Sequence, residues 1–194
     1  YYFFHYQETP LLVVNTDDVG HINLVPYYST TGGNDTYINI TNTDVVNGKA
    51  IKVRFRGAAN SDDVYDITVL MSPGDVWAAA ISKDAATGLP RLTHKDVTCT
   101  LPFGVKNNFV TTRLDPNLSA AEKAAQASEG YVEILNMADI APLIPGATTV
   151  NGLYAAIKHV DGKAPCNTTA AGLAALNKLF TDSTTPADAQ SKGL

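Results

Sequence analysis

The chain has 194 residues, of which 45% are hydrophobic and 17% charged, with a formal net charge of −5. That length suits one well-buried core, or one core with an appended helical part, and the acidic balance argues against nucleic acid, which favours basic patches. Charged residues fall well below the roughly 25% usual for soluble domains, a composition shared with extracellular surface and fibre proteins.

The chain opens on Tyr1-Tyr2-Phe3-Phe4-His5-Tyr6, five aromatic residues in six positions. It carries no initiator Met and no signal peptide, so it reads as an exported product whose leader has been removed. No apolar run approaches the ~18 residues of a membrane helix. A freely solvated terminus rarely carries so much apolar surface, since burying each such ring contributes roughly 1.5–3 kcal/mol. Tyr1, Tyr2, Phe3, Phe4 and Tyr6 are therefore expected to make a subunit contact. That contact would be a strand added to a neighbour's sheet; the competing reading is self-packing as an edge strand on the chain's own domain. Repeated head to tail, strand addition to a neighbour does not close and gives a filament.

The first half reads as β-structure. The apolar run Leu11–Val14 ends at Asn15-Thr16-Asp17-Asp18, and Ile22–Val25 is expected to stop at Pro26. Tyr37–Thr41 alternates apolar and polar residues. Asn47-Gly48 is a strong hairpin signal, with the return strand Ala50–Arg56 placing Ile51, Val53 and Phe55 on one face. Lys52, Arg54 and Arg56 then form a solvated face rather than a basic binding patch. Val64–Met71 and Val76–Ile81 are the next strands, the latter carrying Trp77.

The second half changes character. Ser82–Pro102 reads as loop. Ser119-Ala-Ala-Glu122 is a capping-box pattern opening a short helix to Ser128, with Gly130 expected to end it. Tyr131–Met137 returns to strand alternation, and Asn151–His159 and Ala170–Phe180 read as helices. The fold class expected is mainly β: an antiparallel β-sandwich, immunoglobulin-like or jelly-roll-like, with a few short helices in the C-terminal half. The domain plan is an aromatic extension over 1–10, a single β-rich domain with helical insertions over 11–180, and a polar tail over 181–194.

Candidate chemistry is sparse. His5, His21, His94 and His159 stand singly, without metal-ligand spacing. No nucleophile motif is present, so the expectation is no enzyme and no cofactor, with a hydrolase of dispersed residues as a remote third reading. Asp62, Asp63 and Asp66 are weak Ca²⁺ candidates; the competing reading is turn formation and pairing with Arg54 or Arg56. Asn34, Asn39, Asn117 and Asn167 each open an Asn-x-Ser/Thr acceptor pattern for glycosylation. Cys99 and Cys166 match no zinc or haem spacing. In an exported chain an even count points to one disulfide, against two unrelated buried thiols.

The stretches VGHINLVPYYST, INITNTDVVNGKAIKVRFRGAANSDDVYDITVLMSPGDVWAAAIS, DVTCTLP and EGYVEILNMADI resemble a group of exported bacterial proteins described only as uncharacterised cell-surface proteins. The marks of the resemblance are VPYY, KVRFR, NSDDV, SPGDVW and EGYVEI, running discontinuously from Val19 to Ile140. It implies export, a surface location and an oxidised Cys99, and it carries no catalytic residues. Two functions follow as expectations. One is a structural subunit of a pilus-like extracellular filament, a head-to-tail homo-oligomer joined by N-terminal strand exchange. The other is a monomeric adhesion module recognising a glycan or protein partner through Tyr27, Tyr28 and Trp77.

Overall fold

The computed structural model describes residues 14–16, 19–101, 106–143, 146, 148–167 and 169–181. Among the described residues nine strands form two antiparallel sheets. The first sheet has the order β1 (Ile22–Ser29), β9 (Glu129–Ile140), β3 (Gly48–Gly57), β4 (Asp63–Met71) and β7 (Cys99–Leu101). The second has β2 (Thr36–Thr41), β5 (Val76–Lys83), β6 (Pro90–Thr93) and β8 (Lys106–Asn108). The three α-helices among the described residues, α1 (Ala120–Ala127), α2 (Gly152–Ile157) and α3 (Ala170–Thr181), lie in the C-terminal half. The expected mainly-β, sandwich-like class is what the chain adopts. Among the described residues no helix is long and apolar enough to cross a membrane.

Alternation builds the main core. Ile51, Val53 and Phe55 of β3 meet Tyr65, Ile67 and Val69 of β4, Val132 and Ile134 of β9, and Trp77, Ala79 and Ile81 from the second sheet. The aromatic side chains interlock: Tyr65 stacks on Phe109 at 5.2 Å, and Tyr28 meets Phe55 edge-on at 5.5 Å. Burial pushes the Tyr65 phenol up to about 12. Tyr28, also fully buried, satisfies its hydroxyl by donating to the Ala127 carbonyl at 2.9 Å.

The outer face of the five-stranded sheet is divided. At one end Lys52 pairs with Asp66 at 3.0 Å, and Arg56 with Glu133 at 3.1 Å. These half-solvated pairs each contribute roughly 0–1 kcal/mol and make that end soluble. At the other end the cross-strand row Ala138–Ala50–Leu70–Cys99 is apolar and buried. Leu153, Tyr154 and Ile157 of α2, with Cys166 and Leu176, cover that row in a second core. Cys99 and Cys166 are joined by a disulfide with Cα atoms 6.3 Å apart. The bridge fixes the helical cap to the edge strand β7.

Four sequence expectations need correction. Asn47-Gly48 does not close a hairpin: β2 pairs with β5, whereas β3 pairs with β4 and β9. The intervening segment instead crosses between sheets around the Asp44 carboxylate. That group accepts from Val46 N at 2.8 Å, Asn47 N at 2.9 Å, Asn47 Nδ2 at 3.0 Å and Lys49 Nζ at 3.0 Å. These donors, Asn47 foremost, hold it well below the usual carboxylate range. Gly48 serves space rather than turn geometry, since a Cβ there would lie 2.6 Å from Ile157 Cδ1. Pro26 does not end β1, which runs on to Ser29 through a register irregularity between Val25 and Tyr28. Gly130 does not end a helix but lies in β9, where a Cβ would run into the Arg56 carbonyl. Lastly, Ser82–Pro102 holds β6 and β7, strands too short for periodicity to reveal.

The helix starts match their signals. Ser119 Oγ accepts from Glu122 N, and Glu122 accepts from Ser119 N at 2.8 Å, closing the capping box. Asn151 caps α2 by accepting from Leu153 N at 3.0 Å.

Because the bridge closes a separation of 67 residues, its removal is expected to cost about 4 kcal/mol in the chain-entropy model. In a Cys99→Ala/Cys166→Ala double variant, amides of α2 and α3 should exchange much faster while those of β3 and β9 stay protected. Unchanged exchange in the helices would mean that the cap is held without the disulfide.

Candidate functional site, an open sheet edge

The carboxylates suggested for Ca²⁺ have other partners. Asp63 pairs with Arg113 and Asp66 with Lys52, while the Asp62 carbonyl accepts from Gly57 N at 2.9 Å to close the β3–β4 turn. Arg54, one of the partners suggested for them, lies opposite Asp66 in the strand register, yet Lys52 makes the ion pair. Among the described residues no three His, Cys, Asp or Glu side chains gather closely enough to hold a metal. Asn34, Asn39 and Asn117 are all exposed, and Asn167 ends a 3-10 turn, Pro165–Asn167. Tyr28 and Trp77 are fully buried, so of the three aromatics suggested for sugar stacking only Tyr27 reaches solvent.

One convergence was invisible in the sequence. Ser72 Oγ lies 2.8 Å from His159 Nδ1, and Asp75 Oδ2 lies 3.7 Å from the same nitrogen. Asp75 also accepts from Thr98 Oγ1 at 3.1 Å. In a nucleophilic relay the hydroxyl and the acid take opposite ring nitrogens. Here both face Nδ1 and Ser72 is buried. The group therefore clamps the end of α2 to the β4–β5 turn.

The feature with binding geometry is the free edge of β1. His21 O accepts from Asn136 N at 2.7 Å, and the register places Ile22 opposite Leu135 and Asn23 opposite Ile134. In an antiparallel ladder, hydrogen-bonded positions alternate. His21, Asn23 and Val25 therefore turn their backbone groups toward β9. Ile22 and Leu24 turn theirs to the open side, where Pro26 has a carbonyl but no N–H to offer. Among the described residues no strand pairs with that side.

Each face of this edge carries exposed or half-covered apolar side chains, with Asn23 on the inner face and Glu133 opposite Leu24 on the outer as its polar members. On the outer face Ile22 is 55% exposed and Leu24 66%, beside half-buried Leu135. On the inner face Val25 is only half-covered, as is Ile40 on the neighbouring edge strand β2. β1 and β2 are joined at a corner where Ser29 N donates to Thr36 Oγ1 at 3.0 Å, and each borders the seam between the sheets. The other edges are better protected. β7 and β8 have three residues each, and the solvent face of β2 presents Asn39 and Thr41 beside Tyr37. Sheets normally blunt exposed edges with charge, short strands or cover; β1 has only Pro26 and its irregular register. The aromatic residues Tyr1, Tyr2, Phe3, Phe4 and Tyr6 lie outside the described residues. Sequence reasoning found this suspected donor but missed the edge. The available signal was Ile22-x-Leu24-x-Pro26, an apolar alternation on the solvent face.

A half-buried titratable group packs against the core. His94 packs 5.9 Å from Trp77, and burial lowers its imidazole below the ordinary 6.5. The folded state thus favours neutral His94, and its contribution is intact above about pH 6.5. As pH falls through that value the unfolded chain takes up the proton first, so stability should decline as pH drops below about 6.5. Denaturant midpoints across this range check it, with His94→Phe flattening the slope. An equal slope in the variant would place the effect on another group.

Compared with known protein families, curated proteins and solved structures, the chain matches none of them.

Proposed function

We propose that this chain is an exported bacterial cell-surface structural protein, a subunit of a pilus-like extracellular filament joined by strand exchange. The observation that carries the reading is the β1 edge, which no described strand pairs on its open side and which sets Ile22 and Leu24 in solvent. An isolated subunit has no use for such an edge, and strand addition uses it directly, with backbone hydrogen bonds for affinity and alternate side chains for fit. The aromatic start of the chain has the composition of a strand destined for burial on both faces. A contact between two different surfaces of one subunit propagates without closing, which makes a filament the natural product.

Location outside the cell is supported by the Cys99–Cys166 disulfide, which persists in oxidising compartments, and by the resemblance to exported surface proteins. The low charge content fits subunits that bury much of their surface in an assembly.

Purified chain should form filaments by negative-stain microscopy. Deletion of Tyr1–Thr9 should leave a monomer with unchanged circular dichroism and an intact disulfide. Filaments persisting after that deletion would overturn strand exchange through the N-terminus.

A further inference from the structure

We infer that the acceptor in this assembly is the open side of β1 at Ile22–Pro26, and that its occupant is Tyr1–Tyr6 of a second copy. This rests on the assembly reading above and adds the address of the contact.

The edge offers a short, defined ladder. Ile22 and Leu24 each present an N–H and a carbonyl, and Pro26 presents a carbonyl alone. Beyond Pro26 the register shifts before Tyr28, whose side chain turns into the core. A strand added here can therefore pair over only about five residues. The six residues Tyr1–Tyr6 span roughly 20 Å when extended, enough to cover that length.

Composition also matches. An incoming strand would set alternate side chains beside Ile22 and Leu24 on the outer face, and the others beside Val25 and Ile40 at the seam. Apolar side chains are present on each face, with Asn23 on the inner and Glu133 on the outer as the polar neighbours, so a strand with one wholly polar face would set that face against Ile22 and Leu24 or against Val25 and Ile40. The run of aromatics at Tyr1–Phe4, with Tyr6, is apolar on both faces.

The path of the chain favours a neighbour over the subunit's own edge. Every described residue from Val14 to His21 is exposed, Val14 by 87%, so the described residues ahead of β1 are not packed on the domain. The thirteen residues ahead of Val14 extend to roughly 40 Å, which reaches an adjacent subunit.

The test uses two variants and their mixture. Leu24→Pro removes an N–H from the open side and none from the β9 ladder, while leaving the N-terminal donor intact. Deletion of Tyr1–Thr9 removes the donor and leaves the edge intact. Each alone should be monomeric by light scattering, and together they should form a one-to-one heterodimer that grows no further. Leu24→Lys keeps the backbone and sets a charge on the outer face; it should weaken assembly at least tenfold. If Leu24→Pro does not fold, Leu24→Lys takes its place in the mixture. Normal assembly of both Leu24 variants, or a mixture that stays monomeric, would overturn the β1 assignment and leave the assembly reading standing. Assembly of the deletion variant would instead overturn the reading beneath it.

Discussion

The row Ala138–Ala50–Leu70–Cys99 sets the terms for the rest of the molecule. A strand in a two-sheet sandwich buries one face, yet these four residues are apolar on the face turned away from the second sheet. Left bare, that row would expose an adhesive surface. The chain answers with α2, α3 and the segment around Cys166, and the disulfide holds them on the row whose last member is Cys99 itself. The close approach of Ile157 to Gly48 then leaves no room for a side chain at the start of β3. The Asp44 crossover brings β3 into place beneath this cap rather than in a hairpin with β2.

Cover reaches only part of the sheet. Beyond the cap, Lys52–Asp66 and Arg56–Glu133 keep the outer face of β3, β4 and β9 polar. Neither device reaches β1, where Ile22 and Leu24 stand in the positions that charged residues occupy on the inner strands. Among the described residues, one apolar surface is managed with a stapled cap and another with ion pairs, while this edge has only Pro26 and its irregular register. The proposed strand exchange gives that exception a purpose: the missing neighbour arrives from another subunit, and strand-edge hydrogen bonds that would invite aggregation become specific.

Much of this is legible in the sequence. The alternation in β3, β4 and β5 gave their core faces, and the capping box at Ser119 placed α1. What could not be read was pairing between distant strands. Asn47-Gly48 has the composition of a tight turn, but Asp44 supplies a competing set of hydrogen bonds and the flanking strands belong to different sheets. The three-residue strands β7 and β8 are held by their neighbours and leave no periodic trace. The acceptor edge was hidden for the same reason: that β1 lies outermost follows from β9, more than a hundred residues later, pairing between β1 and β3. The meeting of Ser72, Asp75 and His159 likewise depends on where the cap lands.

The central claim is that the backbone of Ile22 and Leu24 is open in the subunit and paired in the assembly. Residue-resolved amide hydrogen exchange on filaments and on the Tyr1–Thr9 deletion monomer measures this directly. The account predicts fast exchange at both amides in the monomer and strong protection in the filament, with Asn23 and Val25 protected in both. Filaments in which Ile22 and Leu24 exchange as fast as in the monomer would contradict it.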